Sequence, residues 1–201
     1  MHVVRIISTQ GVFMAEDKKN VMDSNRIIFM SGCFDESAAK TIMERMLTLE
    51  AQAPSKDILM YIDSYGGSVH SLIAIHDVMK NLSRCDIATV CTGKAMSCGQ
   101  MLLMSGTKGK RFATPNSRIL IHEISHITYG KLSDMEIDIN EDKEVQKIWE
   151  GLIVEYTKIK KSEIRELMKR DSYLSAKEAK DYGIIDHIIE KPSDLYKRIT
   201  L

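Results

Sequence analysis

The sequence predicts an α/β protein whose strands run mainly in parallel. From Arg26 onwards, short apolar runs alternate with segments in which apolar residues recur every three or four positions. A strand that is followed by a helix and a further strand forms a crossover connection, which pairs the two strands in parallel. The chain has 201 residues, which is enough for one domain with a substantial core.

Six apolar runs have the composition and length of strands. They are residues 26–32, 57–63, 86–93, 111–115, 117–123 and 183–190. Three segments between them have helical periodicity, at residues 35–54, 68–82 and 97–106. The apolar stripes of the first two helices are Ile42, Met46 and Leu49, and Leu72, Ile75 and Met79.

A much longer helix is predicted to follow. Ser133 and Glu136 have the spacing of a capping box at its start. The apolar residues at helical spacing behind them are Val145, Ile148, Trp149, Leu152, Ile153 and Tyr156. Such a stripe must be buried by the helix's own domain or by a partner subunit. A second capping box, Ser175 with Glu178, begins a later helix, and Gly183 suits its end.

Charge and cysteine content exclude several classes of protein. The formal net charge is zero, so we expect neither nucleic acid nor a membrane as a partner. The four cysteines form no CxxC pair and no histidine cluster accompanies them, which argues against a metal site or a disulfide framework. No apolar run approaches the length of a transmembrane helix, and residues 1–19 do not resemble a signal peptide. We therefore expect a cytoplasmic protein.

Two turns between a strand and a helix could carry chemistry. Gly66 and Gly67 allow a tight turn there, but they could also leave an N–H group open to an oxyanion. Ser97 could be an N-cap residue, or it could be a nucleophile beside the free N–H groups of a helix start. Taken singly, each of these residues favours the structural interpretation.

A histidine and an aspartate could complete a catalytic group with Ser97. His122 ends the strand at 117–123, and Asp171 lies between two helices, where it could orient the histidine. The sequence around Ser97 loosely resembles the GxSxG elbow of α/β-hydrolases, which order their triad as serine, acid and histidine. No convincing histidine follows Asp171 here, so the order serine, histidine, aspartate argues against that fold.

From Ser31 to about Ile189 the chain resembles the proteolytic subunit of the Clp protease (ClpP). The stretches that carry the resemblance are LEAQAPSKDILMYIDSYGGSV, GKAMSCGQMLLMSGTKGKRFATPNSRILIHE and RDSYLSAKEAKDYGIIDHI. The resemblance implies a crotonase-like spiral of β-β-α units, with a head domain at 26–201 and a protruding helix-plus-strand handle at about 123–160. Residues 1–25 would be a divergent N-terminal arm in the axial-loop region.

The resemblance also implies roles for individual residues. The nucleophile, base and acid fall on Ser97, His122 and Asp171, and the oxyanion N–H groups fall on Gly67 and Cys98. The substrate-binding positions are Gly66, Ser68, Val69, Glu123 and Ile124. The pocket that docks an unfoldase consists of Leu59, Tyr61, Thr92, Phe112 and Thr114. The residues that make the contact between rings are Lys169 and Arg170.

Several positions near the site depart from the family's usual pattern. Tyr65 stands where a proline usually precedes the glycine pair, and Met96 stands where a small residue usually precedes the nucleophile. Glu123 and Ile124 replace Gln-Pro at the start of a strand that pairs with extended substrate, which leaves the cleavage preference open. Cys98 is expected to make the site sensitive to bulky thiol reagents.

Departures elsewhere bear on assembly. Lys169 reverses the charge of an acidic residue beside Arg170, so the contact between rings must differ. Leu59, Thr92 and Thr114 replace larger apolar residues in the docking pocket, and we expect weaker docking of AAA+ unfoldases.

Two functions remain open. The first is a serine endopeptidase that hydrolyses unfolded polypeptides without a metal or cofactor, helped by an ATP-consuming unfoldase such as ClpX, ClpA or ClpC. The second is a weakly active or inactive ring-forming subunit that joins a more typical ClpP paralogue. The assembly would be a homo-oligomer of heptameric rings, as a tetradecamer, or a hetero-oligomer. A membrane-anchored signal-peptide peptidase is disfavoured, since it would use a Ser–Lys pair and an anchor.

Overall fold

The structure, a computed structural model, describes residues 25–201, so nearly all of the predicted N-terminal arm lies outside the described residues. The strands are β1 (Ile27–Phe34), β2 (Ile58–Gly67), β3 (Ile87–Met96), β4 (Arg111–Ala113), β5 (Arg118–Ile121), β6 (Ser172–Ser175) and β7 (His187–Ile188). The helices are α1 (Glu36–Gln52), α2 (Val69–Asp77, continued by a π-helical turn at Val78–Leu82), α3 (Cys98–Met104), α4 (Leu132–Tyr156), α5 (Lys161–Lys169), α6 (Ala176–Asp181) and α7 (Pro192–Tyr196).

Five strands form a parallel sheet in the order β1-β2-β3-β4-β7, which confirms the predicted α/β class. β3 divides this sheet, because residues 89–91 pair with β4 whereas residues 94–96 pair in parallel with β5. β6 then pairs with β5 in the antiparallel sense. The branch at β3 creates a separate edge, built from the ends of β3, β5 and β6.

Two predicted elements differ from the structure. The sequence predicts no strand before α6, but Ser172–Ser175 forms β6. This strand is only four residues long and Leu174 is its one buried side chain, so its pattern is too short to indicate a strand. The strand expected at 183–190 pairs only at His187–Ile188, because Gly183 turns the chain and Asp186 bonds to Arg111.

The two predicted capping boxes have different outcomes. Ser175 caps α6 with Glu178 in the reciprocal arrangement, which confirms that prediction, and Gly183 follows that helix at a φ of 75°. The capping box of Ser133 with Glu136 is wrong. The chain turns at Gly130, with a φ of 137°, and α4 begins before Ser133, so the serine lies inside the first turn and caps nothing.

The sheet separates a large core from a small one. Ile58, Met60 and Ile62 of β2 are fully buried with α1, α2 and α3 in the large core, and the predicted stripes of α1 and α2 are buried there too. The intervening Leu59 faces the opposite side, where α7 covers the sheet. This small core consists of Leu59, Ala88, Val90, Phe112 and Leu195.

The long helix α4 is covered only along part of its length. Val145, Trp149 and Ile153 are buried, as the apolar stripe predicted, but Ile148 is half exposed. Nearer the helix start, Ile137 is 68% exposed. None of the helices at 25–201 is long and apolar enough to cross a bilayer.

Arg111, at the start of β4, ties four parts of the fold together. Its guanidinium is almost fully buried and forms two hydrogen bonds to the carboxylate of Asp186, from Nε at 2.9 Å and from Nη2 at 2.7 Å. Nη1 also donates to the carbonyl oxygens of Tyr156 at 2.7 Å and Met104 at 3.3 Å. Burial by itself would raise the pKa of Asp186, but the hydrogen bonds and charge of Arg111 outweigh it and hold that pKa below its ordinary value.

Replacing Arg111 with alanine should lower the free energy of unfolding by about 3 kcal/mol, because the largely buried carboxylate of Asp186 would lose its cation and keep only backbone N–H donors. Denaturant unfolding followed by circular dichroism measures the loss. Lys40→Ala is the control, since its ion pair with Glu44 is exposed and should contribute little. The contribution of Asp186 should be present at neutral pH and disappear in acid, as the pH falls through its lowered pKa. Equal losses in the two variants would contradict this role of Arg111.

Candidate active site

Ser97 is held in a backbone conformation that serine rarely adopts. It lies between β3 and α3, with a φ of 53° and a ψ of −121°. Within residues 25–201, Arg26 is the only other non-glycine residue with a positive φ. Such a conformation costs about 1–3 kcal/mol and persists only where the surrounding structure enforces it. Ser97 is the N-cap residue of α3, as one interpretation of the sequence expected, but its side chain makes no capping hydrogen bond.

Gly66 provides the space that this conformation needs. A Cβ atom on Gly66 would lie 2.7 Å from Ser97 Cβ and 3.1 Å from Ser97 Oγ, which is too close for any side chain. Gly66 also has a φ of 110°, a value that residues with side chains rarely adopt. On the far side, the Ser97 N–H donates to the carbonyl oxygen of Leu120 in β5 at 3.2 Å. The serine is therefore fixed between β2 and β5.

The predicted oxyanion groups lie directly beside Ser97. Cys98 is the first residue of α3, and an N–H group at that position has no acceptor within its own helix. The Cys98 thiol donates to the carbonyl oxygen of Gly67 at 3.2 Å, which joins the two predicted oxyanion positions. Gly67 has a φ of 146°, and a Cβ there would lie 2.5 Å from the carbonyl oxygen of Phe34. The site thus requires glycine at both positions of the pair.

The strand register brings His122 and Asp171 to the same edge as Ser97. Ile121, the last residue of β5, is paired with Ser172, the first residue of β6. His122 and Asp171 directly adjoin this last pair, so the two strands bring both residues to the same end of the ladder. Three segments that are distant in the sequence therefore end at one place.

No hydrogen bond joins these three side chains in the part of the chain that the structure describes. His122 Nε2 is buried and has no hydrogen-bond partner, whereas Asp171 is exposed. A buried polar atom without a partner is unfavourable by about 1–3 kcal/mol, and such atoms in folded proteins call for an explanation. The three groups share an edge, but their side chains are not engaged with one another.

Three of the five predicted substrate-binding residues, Ser68, Val69 and Ile124, border one cleft. Gly67, Ser68 and Val69 form its wall at the start of α2, and Ile124 faces them in a cleft of about 270 Å³. Ser68 also caps α2, because its hydroxyl accepts from the Ser71 N–H at 3.3 Å. The side chain of Glu123 is exposed and lies outside this cleft, in a neighbouring groove that α4 borders.

The strand that was expected after His122 is not formed in the described structure. Side chains of α4 hold this segment instead. The Ile124 N–H donates to Gln146 Oε1 at 3.1 Å, and His126 bonds to Asp142 at 2.9 Å. These contacts with a helix replace the ladder that a strand would form.

The predicted unfoldase-docking residues lie on the side of the sheet that α7 covers. Leu59 and Phe112 are fully buried in the small core, so within this chain they present no surface that a docking partner could contact. Tyr61 stacks on Phe29 at a centroid distance of 5.3 Å, and burial raises its pKa to about 12. The other two predicted positions, Thr92 and Thr114, are partly exposed.

The predicted ring-contact residues, Lys169 and Arg170, are exposed at the end of α5, and neither forms an ion pair within residues 25–201.

Two features of the site were missed from the sequence. Gly99 packs against β2, since a Cβ there would lie 3.1 Å from the Ser64 carbonyl oxygen. His126 was set aside, although it pairs with Asp142; sixteen residues separate the two, and no local spacing indicates such a pair.

This arrangement indicates a class of protein. Serine hydrolases also place their serine at a strand-to-helix turn, beside backbone N–H groups that can bind an oxyanion. The histidine and aspartate on the same edge are the groups that such a serine would need.

The comparisons give the family. The model of the Clp protease family matches residues 10–192, so part of the predicted N-terminal arm also belongs to the match. The chain is 43% identical over 173 residues to the ATP-dependent Clp protease proteolytic subunit 2 of Mycobacterium bovis, which covers 85% of this chain and 80% of that protein. The proteolytic subunit 1 of Mycolicibacterium paratuberculosis is also 43% identical, over 85% of this chain and 82% of its own. The chain belongs to the Clp protease family, a family of serine-type peptidases.

Replacing Gly66 with alanine should abolish reaction of Ser97 with a fluorophosphonate probe, because the new methyl group would displace the serine. Gly109→Ala is the matched control: Gly109 also has a positive φ, of 87°, but no atom lies within 4 Å of the added Cβ. Intact-protein mass spectrometry after probe treatment compares the two variants. A Gly66→Ala protein that is labelled like the control would contradict the packing argument.

Thiol reagents should modify Cys33 and not Cys98. Cys98 is fully buried, and burial raises the pKa of its thiol to about 11, so it is neutral and inaccessible near pH 7. Cys33 is exposed, and its Sγ lies 2.8 Å from where a Cβ of Gly67 would be. Peptide mapping of the native protein after N-ethylmaleimide treatment identifies the modified residue, with Cys33→Ser as the control. An adduct on Cys98 in the native protein would restore the expectation drawn from the sequence.

Proposed function

We propose that this chain is a proteolytic subunit of a Clp-type protease and that Ser97, His122 and Asp171 hydrolyse peptide bonds in unfolded polypeptides. The observation that carries the proposal is the enforced turn at Ser97, which packs on Gly66 and whose side chain makes no capping hydrogen bond. The relatives named as proteolytic subunits of an ATP-dependent Clp protease support the same activity.

In the proposed reaction, Ser97 Oγ attacks the carbonyl carbon of the peptide bond while His122 Nε2 accepts its proton. The N–H groups of Gly67 and Cys98 stabilise the negative oxygen of the tetrahedral intermediate. His122 then gives the proton to the leaving amine, and an acyl-enzyme remains on Ser97. Water, activated by the same imidazole, releases the second product. The Asp171 carboxylate accepts a hydrogen bond from Nδ1–H of His122 and stabilises the imidazolium.

We infer that assembly brings the three side chains into contact. His122 and Asp171 both adjoin the last pair of the β5–β6 ladder, so changes of rotamer could close the distance without a change of fold. The uncovered apolar residues of α4, such as Ile137 and Ile148, support burial of the predicted handle against another subunit. We propose heptameric rings that stack as a tetradecamer of this chain or as mixed rings with a paralogue.

The energy for unfolding substrates would come from a separate AAA+ unfoldase of the ClpX, ClpA or ClpC kind. In our proposal it docks near Tyr61, Thr92 and Thr114, the partly exposed members of the predicted pocket. The two threonines offer little apolar surface, so a ring of this chain alone should dock the unfoldase weakly.

A second candidate function is a ring-forming subunit with little activity of its own. The observation that favours it is the open triad, in which His122 Nε2 has no partner and Asp171 is exposed. Lys169, at the predicted contact between rings, would then contact a ring built from a different subunit.

Labelling with a fluorophosphonate probe separates the two candidates. A peptidase should bind one probe per chain at Ser97, and Ser97→Ala should bind none. Absence of labelling, both for the chain alone and for its mixture with a typical ClpP paralogue, would contradict the peptidase and favour the ring-forming subunit.

Asp171→Asn should lower turnover of a fluorogenic peptide by up to about 10⁴-fold while the native mass of the assembly stays unchanged, because an amide cannot hold the histidine in the required tautomer. Asp181→Asn is the control, since Asp181 is also an exposed aspartate but ends α6 away from the site. Unchanged turnover in Asp171→Asn would remove this residue from the mechanism.

A further inference from the structure

The cleft of about 270 Å³ beside Gly67 lies where a substrate side chain would enter. Its lining begins at Gly67, which follows the glycine on which Ser97 rests, and includes Ile124, two residues after His122. A peptide whose carbonyl carbon is held at Ser97 would therefore direct its preceding side chain towards this cleft. This inference rests on the proposed peptidase function.

The cleft is lined by three apolar side chains, by the polar residues Ser68, His70, Ser125 and His126, and by one carboxylate. Val69 of α2 and Val145 of α4 are wholly or partly buried and face the cleft together with Ile124. Asp142 lies one turn before Val145 on the same side of α4 and also lines the cleft. Among the nine lining residues, Asp142 supplies the only carboxylate, and none is a lysine or arginine.

His126 holds this carboxylate in place through one oxygen and leaves the other oxygen free to accept a hydrogen bond. His126 Nδ1 lies 2.9 Å from Asp142 Oδ2, and an ionised carboxylate can only accept, so Nδ1 carries the proton. In the part of the chain that the structure describes, Asp142 Oδ1 has no hydrogen-bond partner. His126 is thus a positioning residue for Asp142.

We propose that this cleft selects a lysine or arginine immediately before the cleaved bond. The aliphatic stem of such a side chain packs on Val69, Ile124 and Val145, and its cation pairs with Asp142 Oδ1. An apolar side chain of the same length would pack on the same three residues, but it would shield the Asp142 carboxylate from water and offer it no hydrogen-bond donor. A site that loses a polar partner in this way discriminates against the apolar analogue.

The test uses fluorogenic peptides that differ only in the residue before the cleaved bond: lysine, arginine, norleucine or glutamate. For the unaltered protein, kcat/KM should be about tenfold higher with lysine or arginine than with norleucine, and lowest with glutamate. Asp142→Asn keeps the shape of the side chain and removes its charge, so the ratio of lysine to norleucine should fall about tenfold. Ser97 labelling by the fluorophosphonate probe shows that this variant is folded.

Asp138→Asn is the matched control. Asp138 lies one turn earlier on α4 and accepts from the Thr128 hydroxyl at 2.6 Å, outside the cleft, so its replacement should leave the ratio unchanged. Preference for norleucine in the unaltered protein, or an equal ratio in Asp142→Asn, would overturn the specificity while Ser97 labelling still supports the peptidase. Loss of both hydrolysis and labelling would overturn the peptidase and the specificity together.

Discussion

The contact between Ser97 and Gly66 is the constraint on which the site depends. The two residues end neighbouring parallel strands, and their backbones approach so closely that no side chain fits between them. This close contact is possible only because Gly66 has no side chain, and it leaves room for the positive φ of Ser97, from which the chain turns directly into α3. As a result the helix start, with its unpaired N–H groups and the positive end of its dipole, faces the same space as the serine. One close approach therefore sets both the nucleophile and the groups that would stabilise its oxyanion.

The division of the sheet at β3 provides the second requirement. If β4 paired along all of β3, no strand could deliver His122 to the end of that strand. β4 stops after three residues. β5 then pairs with residues 94–96 of β3, and this brings His122 close to Ser97. β6 returns antiparallel to β5 and brings Asp171 with it. The candidate site lies at this branch because the ends of three chain segments meet there.

The sequence predicts the repetitive parts of this fold well, because they depend on local periodicity. The stripes of α1 and α2, the parallel strands and the Ser175 capping box are confirmed. The exceptions depend on distant contacts. The N-cap position of Ser97 could be predicted locally, but its positive φ needs space that Gly66 leaves 31 residues earlier, which no local pattern indicates. β6 is a strand because β5 lies beside it, and the pair of His126 with Asp142 forms only when a loop folds onto α4. The resemblance assigns the site residues, but local sequence does not show whether their side chains engage.

The most direct test of the account is the structure of the assembled protein with a peptide boronate bound. The boronate is tetrahedral when bound to a serine and stands in for the reaction intermediate. We expect the boron on Ser97 Oγ, His122 Nε2 within about 3.2 Å of that oxygen, and the Asp171 carboxylate on His122 Nδ1. A boronate bound elsewhere, or a His122 that remains without contact to both Ser97 and Asp171 in the loaded assembly, would contradict it.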